Sequence, residues 1–134
     1  MKNILNDNEF AEVSYETDLK LGKIIWKKKP TFEAYQSAFI TLIEHSKEKQ
    51  QVESVMTDTR KQGVVSPEYR NWLEKECLPM AIKLGLKRTA VVFDGGVFKK
   101  YYLNMILKVI NKFGAPMKLF KTEEEALNWI KSFS

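Results

Sequence analysis

The run Arg88–Phe93, RTAVVF, constrains this chain more than any other stretch. It is almost continuously apolar, the pattern of a strand covered on both faces. Asp94-Gly95-Gly96 stops it abruptly. Any fold for the chain must therefore supply a sheet interior and helices to cover it.

The remaining segments alternate accordingly. Residues 10–17, FAEVSYET, set Ala11, Val13 and Tyr15 against Glu12, Ser14 and Glu16, the period of two of a half-buried strand. A short turn leads to KIIWKK at 23–28, so these two strands are expected to form an antiparallel hairpin. Beyond Pro30, Thr31 is placed to cap a helix carrying Phe32, Tyr35, Phe39, Leu42 and Ile43 at helical spacing. Val52–Met56 reads as a third strand. Tyr69, Leu73, Cys77, Met80, Ala81 and Leu84 trace a second helical stripe, and Pro79 inside it predicts a kink or break near Cys77.

After RTAVVF the spacing of Phe98, Tyr101, Tyr102, Met105, Val109 and Phe113 predicts a helix over Val97–Phe113. Met117–Phe120 gives a last strand, and Thr122-Glu123-Glu124-Glu125 is a capping box opening a last helix. The expected order is β-β-α-β-α-β-α-β-α. That is an α/β fold with a mostly parallel five-stranded sheet and an antiparallel first strand. Residues 1–9 are polar and expected to be flexible, which leaves 10–134 as a single domain.

Composition narrows the function classes. A chain of 134 residues is the size of one domain, and 44% hydrophobic with 29% charged residues is ordinary for a globular protein. No apolar run approaches the ~20 residues of a membrane span. Asn6, Asp7, Asn8 and Glu9 stand where a signal peptide would carry its apolar core, so a cytoplasmic location is expected. The single cysteine, Cys77, cannot form an internal disulfide, and the single histidine, His45, has no Cys or second His near it, so no metal site is expected. The net charge of +5 lies entirely in residues 67–134. Without an RNA-binding or helix-turn-helix signature, that tilt does not point to nucleic acid.

Two polar loops follow strands whose carboxyl ends should lie together, the usual ligand side of an open parallel sheet. In the first, TDTRKQGVVSPEYRNWL (57–73), Asp58 and Arg60 can form a bidentate pair that orders the loop. Alternatively, Arg60, Lys61 and the loop amides bind an anion. Ser66 before Pro67 suits a helix cap, and a phosphate on it would sit at the positive end of that helix. Trp72, one position off the apolar stripe, borders the core, lines a cavity or faces a partner. In the second loop, Asp94-Gly95-Gly96 is a turn or a small amide nest for an anion, but it lacks the spacing of a P-loop or of G-x-G-x-x-G. No cofactor and no nucleophile–base–acid set is indicated.

The element order, the motif SVMTDTRKQGVVSPEYRNWL and the later GLKRTAVVF together resemble small bacterial STAS/SEC14-type domains, also called SpoIIAA-like, over roughly residues 10–134. The resemblance implies a SpoIIAA-like fold. It also implies one of two kinds of role. STAS antagonists of anti-sigma factors bind a partner kinase and are switched by serine phosphorylation, whereas SEC14-type relatives hold lipids in an apolar cavity. The switch proteins carry an Asp-Ser-Ser-Gly-like sequence where this chain has Val65-Ser66-Pro67-Glu68. The expected function is a non-catalytic module that docks or regulates a protein partner through the 58–68 loop. The alternative is binding of a lipid or other small apolar or anionic ligand, suggested by the aromatic band at 98–113 and its basic rim. A homodimer is compatible with either.

Overall fold

The structure is a computed structural model that describes residues 2–96, 103–104, 107–108, 111 and 114–134. Six strands form one sheet: β1 (Lys2–Asp7), β2 (Ala11–Glu16), β3 (Leu21–Trp26), β4 (Ser54–Asp58), β5 (Arg88–Val92) and β6 (Met117–Phe120). They lie in the order β1-β2-β3-β4-β5-β6. β1, β2 and β3 make an antiparallel meander, and β3 through β6 are parallel.

The sheet thus has six strands, not five. The extra one is the N-terminal segment expected to be flexible, which pairs with β2 from Lys2↔Glu16 to Asp7↔Glu12 around a bulge at Ile4/Asn6. Its residues are mostly exposed, so it has no apolar alternation to betray it. What holds it is backbone pairing plus charge. Lys2 pairs with Glu12 at 2.8 Å, Lys27 bonds Asp7, and the Asn8 side chain accepts from the amides of Phe10 and Ala11.

Helix α1 (Phe32–Glu48) joins β3 to β4, and its Thr31 hydroxyl accepts from the Ala34 amide at 3.1 Å. Between β4 and β5 run α2 (Pro67–Trp72), a π-helical turn (Leu73–Cys77) and α3 (Leu78–Lys83) without leaving the right-handed helical region. The disturbance expected from Pro79 takes this form. Leu78 bonds back five residues to the Leu73 carbonyl, and the widened turn admits the proline ring without breaking the helix. The helix expected over Val97–Phe113 lies largely outside the described residues. Helix α4 (Glu123–Lys131) closes the chain, its Thr122 hydroxyl accepting from the Glu125 amide at 3.2 Å.

Because β3, β4 and β5 are laid down in sequence order, right-handed crossovers put α1 and the α2–α3 run on one side of the sheet. On that side Ala11, Val13, Ile24 and Trp26 pack against Tyr35, Ala38, Leu42 and Leu73. Leu103 belongs to a smaller cluster with Val91 and Phe93. The opposite face carries Leu21, Met56, Ala90 and Val92 against Ala126 and Ile130 of α4. Strand alternation alone sorts these sets, as a period of two requires. Gly22 lets α1 sit close: a Cβ there would meet Leu42 Cδ2 at 2.7 Å.

Candidate functional site

The 57–66 connection leaves the carboxyl end of β4. Asp58 is buried there, and Arg60 reaches back to it through Nε–Oδ1 at 3.0 Å and Nη2–Oδ2 at 2.6 Å. The Arg60 amide also donates to Asp58 Oδ1 at 3.1 Å. Hydrogen bonding to Asp58 holds the Arg60 guanidinium above its ordinary pKa. Next to this fork, the Thr59 amide and hydroxyl both donate to the Val92 carbonyl at 2.8 Å, tying the loop to β5.

The other sequence candidates scatter around this centre. Lys61 is exposed. Ser66 occupies the N-cap position but its side chain makes no capping hydrogen bond, since the Tyr69 amide bonds the Ser66 carbonyl instead. The expected cap is therefore a matter of backbone position and of Pro67, and the exposed hydroxyl is left to solvent. Trp72 stands edge-on to Phe32 and Tyr35, ring centroids 6.4 and 6.2 Å away, within a cluster that includes Phe39 and Tyr69. It packs rather than projects. Asp94 is exposed and accepts the Gly96 amide at 3.1 Å in a local turn. Of the six, only Asp58 and Arg60 are brought into contact.

Behind the loop lies a feature the sequence did not announce. A cavity of about 100 Å³ runs between the helix-facing side of β4–β5 and the helix layer. Its floor is Val55 and Thr57 on β4 and Thr59 just beyond it, with Thr89 and Val91 on β5. Tyr35, Phe39 and Leu42 of α1 and Leu73, Cys77 and Leu78 of the second helix wall it. Gln62 and Val65 border it from the loop.

No Asp, Glu, Lys, Arg or His stands among the described residues that line it. Burial pushes the Cys77 thiol up to about 12 and raises the Tyr35 hydroxyl well above its ordinary value, so both remain neutral at physiological pH. Thr57 Oγ1 accepts from the Trp26 indole at 3.1 Å. The described lining can surround an apolar body and offer a few neutral hydrogen-bonding groups.

Thr57 and Thr89 fall at strand positions whose side chains line the cavity. Elsewhere, His45 packs its ring 4.4 Å from that of Tyr15 and leaves Nε2 without a partner. Among the described residues no three His, Cys, Asp or Glu side chains gather as a metal site would require. No helix of the described residues is long and apolar enough to cross a membrane. Comparison with protein-family models, curated proteins and solved structures finds no match to this chain.

Proposed function

We propose that the chain is a non-catalytic binding module of the STAS/SEC14-like kind, and that its cavity takes up a small apolar molecule. The observation that carries this is the cavity itself. Its volume is of the same order as the engineered ~150 Å³ apolar cavity that holds benzene or xenon. Its described lining is uncharged, and a charged ligand would enter without a counter-ion. The STAS/SEC14 resemblance supports the reading through the run of strands and helices and the Asp58-x-Arg60 motif. The aromatic residues of the 98–113 band lie outside the described residues, and the apolar surface that supports the reading is the floor formed by β4 and β5.

Benzene titrated into the labelled protein and followed by 1H–15N NMR tests this. Saturable shifts at Thr57, Leu73 and Cys77 are expected. Unchanged spectra up to the solubility limit of benzene would contradict the proposal.

Protein docking through the 58–68 loop is the second reading, favoured by the exposed side chains of Lys61, Val64 and Ser66. Its polar centre is weaker than the sequence suggested, because Asp58 and Arg60 spend most of their hydrogen bonds on each other. Pull-down with wild type against Lys61→Glu tests it, and an identical set of partners would count against docking.

A further inference from the structure

We propose that β1 is a pairing edge for a second copy of this chain, two β1 strands joining antiparallel across a two-fold axis into one continuous sheet. The inference is independent of the cavity.

β1 lies at the edge of the sheet and, among the described residues, pairs only with β2. An edge strand leaves alternate amides and carbonyls pointing outward with no backbone partner. Lys2, Asn3, Ile4 and Asp7 are exposed, and Ile4 keeps 59% of its surface in water.

The strand fits its own reverse. Laid antiparallel on a second KNILND, Lys2 meets Asp7, Asn3 meets Asn6, and the Ile4-Leu5 step meets itself. Such pairing also requires that facing residues point to the same side of the sheet. Strict alternation would put positions 2 and 7 on opposite sides, and the match would fail. The bulge removes that obstacle. It falls between Ile4 and Asn6, so the register sets Lys2, Ile4 and Asp7 opposite Glu16, Ser14 and Glu12 on one face. Asn3 and Asn6 stand opposite Tyr15 and Val13 on the other. The charges and the asparagines therefore find their counterparts on the same face. A bulge commonly blunts an edge against pairing. Here two copies of one bulge come opposite each other and stay in step.

Charge complementarity selects the occupant. Lys2 pairs with Glu12 and Asp7 with Lys27 within the chain, yet the Lys2 and Asp7 side chains are still 46% and 47% exposed. Across the junction these pairs join into a row of alternating sign: Glu12 and Lys2 of one copy, then Asp7 and Lys27 of the other. The two-fold axis generates the same row at the opposite end. Two six-residue strands bury less than the ~1,200 Å² of a standard interface, so a Kd between about 1 µM and 1 mM is expected.

Sedimentation equilibrium of the full chain between about 10 µM and 1 mM, with 1H–15N NMR over the same range, tests this. A monomer–dimer equilibrium is expected, with its concentration-dependent shifts centred on residues 2–7. A monomer throughout, or a dimer whose shifts fall elsewhere, would overturn the proposal. Lys2→Glu and Asp7→Lys test the register. Each alone sets like charges opposite each other at both ends of the junction and should associate about tenfold more weakly than the wild type. An equimolar mixture of the two restores opposite charges and should recover the wild-type affinity. Wild-type affinity in either variant alone, or a mixture no tighter than its components with β1 still formed, would overturn the pairing. The wild-type measurements need no variant, so they decide the matter even if a substitution frays β1.

Discussion

Arg60 grips the carboxylate of Asp58, two residues before it, at both oxygens, while its own backbone amide bonds the same group. One partner is buried and the other is 43% exposed at its side chain. The pair therefore does its work on the loop: it fixes the direction in which the chain leaves β4 and keeps a buried carboxylate satisfied.

Arg60→Ala removes the guanidinium but leaves Asp58 where it is. The expected cost is about 1 kcal/mol, because the exposed arginine is well screened by water and the backbone amide at position 60 still bonds Asp58. Urea unfolding measures it. A midpoint equal to that of the wild type would mean that the fork contributes nothing to folding.

Gly22→Ala should lower stability by about 1–3 kcal/mol, since the new methyl meets Leu42 at two side-chain carbons within 2.9 Å. Leu42→Val in the same chain should recover part of the loss. A double-mutant cycle tests the contact. Additive effects would show that α1 and β3 can separate freely at this point.

The Cys77 thiol moves by burial from an ordinary 9.0 to about 12. Folding thus favours the protonated form. Its contribution to stability is complete below pH 9, declines as the pH rises above that, and is gone beyond about pH 12. At pH 8 the native thiol should react with an aromatic disulfide reagent only as fast as the chain opens. Labelling at the rate of a free thiol would place Cys77 in contact with solvent.

Val55→Ile and Val91→Ile each add one methylene to the cavity floor. Filling empty space should raise stability, by up to about 0.8 kcal/mol apiece, and weaken benzene binding. A loss of stability with each would indicate that the layer is already closely packed there.

The sheet interior was legible because RTAVVF, FAEVSYET and KIIWKK carry their burial in their patterns. β1 was not, because Lys2, Asn3 and Asp7 are exposed and its backbone pairing leaves no apolar period. The stripe through Tyr69, Leu73 and Cys77 was sound until the π turn. That turn inserts a residue, so Leu78 is buried while Met80, expected inside, is exposed. The Asp58–Arg60 fork was one of two readings that the loop allowed, beside an anion site at Arg60 and Lys61. The burial of Gln62 was not legible, since a polar residue in a polar loop gives no sign of it. The cavity itself depends on how β4, β5 and two helices meet, which no local pattern encodes.

A crystal of the full chain under xenon pressure tests the central claim most directly, because xenon enters apolar space without any specific contact. The account predicts a xenon atom between the β4 floor and the second helix, bordered by Val55, Leu73 and Cys77. Density showing that space occupied by packed side chains, with no xenon in it, would contradict the account.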